Sequence, residues 1–317
     1  WLQMNASLQE LILHGMQWEK VDPGGRMLQS CTAGKPLRLL EISHNSLTDA
    51  SVKRLAEVLL SNAVTCDTLE ALILDLNCIT EEGLCALLPL CQALRGLTAW
   101  GFRHNKLGDG GCRALAEARP RPASWDLRTN SVGVAGCVSL ALVLDSMVVA
   151  RLGCNPLGDA GVEHLSQGLG DCIQILDLRQ GCFGDVGTVE LARLLMNACS
   201  LQELLLSGNQ IGPEGAHALA EGWRWLRSLR YVDLSSNAIG SRGVELMAGE
   251  LPYWKQTPLR ISLMSNSCGE SGVLKLKSVL EMHPRHDWHW AIELQNNDHG
   301  ISGHVGDIQR LLEEVLD

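Results

Sequence analysis

One asparagine recurs at a fixed place along nearly the whole chain. Asn45, Asn77, Asn105, Asn130, Asn155, Asn209, Asn237, Asn266 and Asn297 share it, with Gly181 standing in once. Successive spacings are 32, 28, 25, 25, 26, 28, 28, 29 and 31 residues. Each position is framed alike. An apolar residue comes three before it (Ile42, Leu74, Phe102, Leu206), another five before (Leu40, Leu72, Trp100, Leu204) and a third two after (Leu47, Ile79, Leu107, Ile211). Six after it stands glycine, at Gly83, Gly111, Gly136, Gly161, Gly187, Gly215, Gly243, Gly272 and Gly303, with Ser51 the one departure. A degenerate eleventh unit precedes these, with Leu8, Leu11 and Leu13 in the apolar places and Met16 where asparagine belongs. Such a period overrides the usual estimate of about 150 residues per domain. The 317 residues read as one stack of like units, not two globular domains.

Each part of the unit has a physical task. The alternation of apolar residues is a short strand whose leucines point one way and whose intervening residues point the other. The asparagine can bond to main chain where the strand turns away, and the glycine allows a tight bend and close approach of neighbouring units. The segment that follows, as in Ala50 to Leu59, is apolar at three- and four-residue spacing and predicts a helix with one buried face. Pro120 and Pro122 end one such helix early.

LxxLxLxxNxL followed by a glycine turn and a true helix resembles the ribonuclease-inhibitor-like class of leucine-rich repeats, to which the repeat domains of NOD-like receptors and the Ran GTPase-activating protein belong. The resemblance runs from Leu8 to the end. It implies an α/β leucine-rich-repeat solenoid of about eleven repeats, a right-handed horseshoe with a parallel sheet on the concave face and helices on the convex face. Residues 1–36 then form a degenerate N-terminal repeat or cap, 37–303 ten repeats, and 304–317 a terminal helix through Ile308, Leu311, Leu312 and Val315. It also implies a protein-interaction module, a scaffold or accessory subunit or a ligand-sensing domain, with a small-GTPase regulator as the alternative.

Charge and motifs exclude other classes. Thirty-six acidic residues against 26 basic ones, a net charge of −10, is the opposite of a nucleic-acid footprint. No apolar run nears the roughly 18 residues of a membrane span. The twelve cysteines contain no CxxC pair, so zinc of the usual spacing is not indicated. Most, including Cys85, Cys112, Cys137, Cys154 and Cys182, fall where a small buried side chain is expected, which points to reduced thiols in a reducing, cytoplasmic compartment, or an organelle if a leader has been removed. Pro284 breaks any regular helix through His283, His286 and His289, so no metal is assigned there. GxSxG, the P-loop, GxGxxG after a strand and HExxH are absent, and neither catalysis nor a cofactor is expected. Asp109, Asp159 and Asp185 recur in the first helical turn, where a carboxylate suits the dipole. Trp100 and Trp125 hold core strand positions, and one of Trp223 and Trp225 is expected at the surface.

The exposed sheet face carries the candidate site. Arg103, Arg128, Arg151 and Arg179 fall in four successive units, interleaved with Asp126 and Asp177 and flanked by acidic residues on either side. The plainer reading is a self-satisfied ladder, Asp126–Arg151–Asp177. The sharper one is a binding patch for a protein partner with an acidic or phosphorylated segment, held by forked guanidinium bonds.

Overall fold

The computed structural model describes residues 7–22, 25–118, 123–253, 259–282 and 290–297. The predicted terminal helix at 304–317, Gly303, the Pro120–Pro122 segment and His283, His286 and His289 lie outside them. By contacts the chain divides into two compact units. The first (Trp1–Val143 with Met147–Arg151) holds strands β1 (Glu10–Ile12), β2 (Leu39–Glu41), β3 (Ala71–Ile73), β4 (Ala99–Gly101), β5 (Ser124–Asp126) and β6 (Val149–Arg151). Its helices are α1 (Trp18–Val21), α2 (Arg26–Thr32), α3 (Asp49–Leu60), α4 (Ala63–Thr68), α5 (Glu81–Ala93), α6 (Gly108–Ala118) and α7 (Val134–Ala141). The second (Leu144–Ser146 with Leu152–Asp317) holds β7 (Ile175–Asp177), β8 (Glu203–Leu205), β9 (Tyr231–Asp233), β10 (Leu259–Ser262) and β11 (Trp290–Glu293). With them come α8 (Gly158–Gln167), α9 (Asp185–Leu194), α10 (Pro213–Trp223), α11 (Gly240–Glu250) and α12 (Glu270–Met282).

Within each unit every strand pairs in parallel with the next in sequence, and the register aligns equivalent repeat positions: Leu40 with Leu72, Trp100 with Trp125, Leu204 with Val232. This is the leucine-rich-repeat α/β solenoid. The inward strand residues are buried, among them Leu40, Ile42, Leu72, Leu74, Leu204 and Leu206 at full burial. Trp100 packs edge-on to Phe102 at 5.4 Å between centroids. The indole N–H groups of Trp100, Trp125 and Trp223 are buried without a hydrogen-bond partner, so these rings serve as apolar bulk. Trp225 is the exposed member of its pair, at 57%.

The asparagines hold the coils together. Asn77 Oδ1 accepts the N–H groups of Asn45 and Leu47 in the preceding coil, both at 3.0 Å. Its Nδ2 donates to the carbonyls of Ile42, Leu74 and Asp75. Asn105, Asn237, Asn266 and Asn297 repeat the scheme on Ile79, Ile211, Ile239 and Cys268. One buried amide thus satisfies main chain in two coils at once. The residue before each asparagine position is left-handed in all ten repeats, including Leu76 (φ 56°) and Cys154 (φ 59°). In eight of them the N–H bonds into the next coil, as His44 to the Asp75 carbonyl at 3.0 Å.

Asp109, Asp159 and Asp185 do stand in the first turn of their helices, and they form a second ladder besides. Asp159 Oδ1 accepts the N–H groups of Gly184 and Gly187, and Asp185 Oδ1 those of Gly212 and Gly215, at 2.7–2.9 Å. Asp109 likewise takes the Gly133 N–H at 2.7 Å. Each carboxylate therefore caps the helix of the following coil, whose own N-cap is a glycine with no side chain to offer. The recurrent glycine follows from this: a Cβ on Gly187 or Gly215 would lie 2.9 or 2.6 Å from the capping oxygen.

The cysteines also depart from expectation. Cys31, Cys112, Cys137 and Cys268 are buried, but Cys78, Cys85, Cys154, Cys172, Cys182 and Cys199 are exposed. Cys85 points off its helix, and Cys154 and Cys182 stand beside the sheet on left-handed residues. The eleven cysteines whose side chains are described are free thiols. Burial pushes the Cys137 thiol up to about 12, and burial together with Cys137 raises that of Cys112 further. Native protein should therefore react quickly with a thiol reagent at the six exposed positions, and denatured protein at close to all twelve. Fewer thiols after denaturation would reveal disulfides.

At Gly181 the asparagine is missing, and Leu157 N–H turns instead to the Asn155 carbonyl at 2.9 Å. The Phe183 ring fills the gap: a Cβ at Gly181 would lie 2.9 Å from it. Gly181→Asn alone should destabilise, and Phe183→Leu alone should cost about 1–2 kcal/mol. Combined, they restore a regular coil, so the double variant should be more stable than the sum by about 1 kcal/mol or more. Strict additivity in denaturant titrations would contradict this account.

Candidate functional site

On the sheet face opposite the leucines, β3 to β6 set Ile73, Gly101, Asp126 and Arg151 side by side. Two residues on, and so on the same face, come Asp75, Arg103 and Arg128. Strands lie about 4.8 Å apart, which makes these direct neighbours. Gly101 leaves a notch in the row: a Cβ there would meet Asp75 Oδ1 at 2.9 Å. Asp75 leans across it and accepts the Arg103 N–H at 2.9 Å. Burial, then the nearby charge of Asp126, push the Asp75 carboxyl up to about 6.

The arginines fall into two kinds. Arg128 is turned back onto Asp126 of its own strand, Nε to Oδ1 at 2.9 Å and Nη2 to Oδ2. In the second unit Arg179 does the same with Asp177, at 2.9 and 2.7 Å. Asp177 is completely covered (0% exposed) and tucks against Gly153, where a Cβ would approach its Oδ1 to 2.9 Å. The hydrogen bonds that Arg179 donates to Asp177 raise the Arg179 pKa. Asp126 and Asp177 are thus each paired with the arginine two residues further along their own chain segment. Arg103, exposed, and Arg151, half-buried, have no ion pair among the described residues. Of the sequence-derived site, the first unit gathers Arg103, Arg128, Arg151 and Asp126. Arg179 and Asp177 belong to the second.

The open face is also more covered than alternation suggests. Leu205 (9% exposed), Ser262 and Ser43, all expected to face outward, are buried. A short side chain in a tight parallel stack is covered by its neighbours on both flanking strands. At one edge Glu41 accepts from His14 Nε2 at 2.8 Å and Ser43 Oγ at 3.0 Å. At the other, Glu293 is taken by Arg260, which lies over the Tyr231 ring.

Among known sequences, the Leucine Rich repeat family model matches residues 65–88, 96–116, 197–220 and 226–248. Ribonuclease inhibitor of Sus scrofa is 31% identical over 258 residues, covering 77% of this chain and 55% of that protein. "NACHT, LRR and PYD domains-containing protein 12" of Mus musculus is 30% identical over 276 residues, 83% of this chain and 23% of that protein. Protein 3 of the same series from Bos taurus is 29% identical over 227 residues, 67% and 22% respectively. The chain spans about half the length of the ribonuclease inhibitors it matches and under a quarter of the NACHT proteins. Repeat grammar, coil-to-coil amide ladder and these likenesses agree: the chain is a leucine-rich-repeat protein of the ribonuclease-inhibitor-like class.

Proposed function

We propose that this chain is a non-catalytic scaffold or sensing module that grips an acidic or phosphorylated segment of a protein partner on the open sheet face of its first unit. The coarser statement, a protein-interaction or ligand-binding repeat domain, already follows from the family. The observation that carries the finer reading is the pair Arg103 and Arg151, without ion pairs among the described residues, on either side of the internally neutralised Asp126–Arg128. Two open guanidinium forks on a chain of net charge −10 form a local positive island. Arg128 is a reserve donor whose recruitment must break its fork with Asp126. Arg179 is a weaker candidate because releasing it would strand a buried carboxylate. No helix among the described residues is long and apolar enough to cross a membrane. The free thiols of the described cysteines support a reducing compartment.

Fluorescent phosphopeptides and their unphosphorylated counterparts test the reading directly. The phosphorylated set should bind with a steep salt dependence, and Arg103→Glu with Arg151→Glu should weaken it at least tenfold while the fold is retained. Unchanged binding in that double variant would move the interface elsewhere.

Asp75 adds a pH dependence of stability. Its folded pKa of about 6 lies above the unfolded value near 3.9, so the folded state takes up its proton first. Parent stability should therefore rise as pH falls from about 6 toward 4, and Asp75 disfavours folding above that window. Asp75→Asn keeps an acceptor for the Arg103 N–H. It should stabilise the protein at pH 7 by on the order of 1 kcal/mol, an advantage that fades in acid. A pH-independent difference in denaturation midpoint would refute this assignment.

A further inference from the structure

On the helix side of the second unit, three side chains converge that the repeat does not require. His217 and Glu221 are four apart on α10 and so share one face, and Glu250 closes α11 beside them. Their ligand atoms all lie within 4.8 Å of one another. His217 Nε2 is 3.8 Å from Glu250 Oε1. That is too long for a hydrogen bond. It is close to the ~3.4 Å ligand-to-ligand edge of a tetrahedron built on bonds of about 2.1 Å to a divalent cation.

The Glu250 carboxylate is already oriented. Arg224 Nη2 bonds Glu250 Oε2 at 2.7 Å, leaving Oε1 toward His217. The guanidinium is itself fixed, by Nε to the Glu221 carbonyl at 2.9 Å and by its place over the Tyr253 ring at 5.5 Å. The Glu250 side chain is only 18% exposed. A carboxylate with one oxygen held by an outer partner and the other presented inward is how metal-ligating carboxylates are commonly positioned.

We propose that His217, Glu221 and Glu250 form a binding site for a divalent cation of the zinc class. One imidazole and two carboxylates suit zinc better than magnesium or calcium, which favour all-oxygen shells, and better than copper(I), which favours sulfur. The ion braces α10 against α11, and its fourth position is open to water or to a carboxylate or histidine of a bound protein.

The test uses the whole chain, freed of metal with EDTA and titrated with Zn²⁺ by calorimetry and with Co²⁺ by absorption. We expect one site that His217→Ala and Glu221→Gln each weaken at least tenfold, both variants keeping the parent's circular dichroism. The Co²⁺ form should show visible d–d bands without the near-ultraviolet thiolate charge transfer that cysteine ligands give. Should His217→Ala fail to fold, His217→Gln and Glu221→Gln decide. No binding, binding undiminished in these variants, or a thiolate band lost only with cysteine substitutions would overturn the proposal and leave His217 as an ordinary ion-pair partner of Glu250.

Discussion

A buried carboxamide that bonds two successive coils at once is the interaction on which the rest of the structure depends. At the end of each strand the main chain turns out of the sheet and leaves amides and carbonyls that no ladder can satisfy. Asn77 answers with one acceptor and one amino group, serving its own coil and the one before. The left-handed residue that precedes it, carried by leucine, serine, cysteine or histidine alike, costs about 1–2 kcal/mol in isolation. It persists because its N–H and the asparagine's bonds fix it from both sides. Substituting a hydrophobe for the amide would remove the coupling between coils as well as a hydrogen bond.

Much of this was legible in the sequence because the repeat multiplies a weak signal by ten. The strand register, the leucine columns and the buried Trp100 and Trp125 follow from alternation alone. What stayed hidden depends on the neighbouring coil. The left-handed position has no single residue type to mark it, since the environment rather than propensity holds it. The capping role of Asp159 and Asp185 toward the next helix needs the three-dimensional stacking. The exposed cysteines were misplaced for two local reasons: Cys154 and Cys182 sit on left-handed residues beside the sheet, and Cys85 lies one position beyond the buried helix place that Cys112 and Cys137 hold. His217 and Glu221 carry a visible four-residue spacing. Glu250 joins them only because α11 lies against α10, which no local pattern reports.

The open sheet face illustrates a competition that sequence alone leaves undecided. An aspartate and an arginine two residues apart can pair within their strand or reach across to the next. In Asp126–Arg128 and Asp177–Arg179 the near partner wins, since the aspartate also accepts the N–H of its own arginine and is held in place. Arginines without such a neighbour, Arg103 and Arg151, keep their charge open. The open charge of the face is therefore set by which arginines lack an aspartate two residues earlier, more than by how many arginines it holds.

The two ladders run in opposite senses. Asparagine serves the loop of the coil before it, and aspartate serves the helix of the coil after it. A stack built this way has unlike ends, as a polymer with distinct head and tail groups does. Where a stack of such coils is cut, the outermost glycine-capped helix on one side would lack a carboxylate to cap it, and the outermost loop on the other would lack an amide oxygen for its N–H groups. A foreign module joined to such a stack, or a segment grafted to terminate it, must bring a carboxylate to the first end and a buried carboxamide to the second. Exchanging the two would leave both ends unsatisfied even though every leucine still matched.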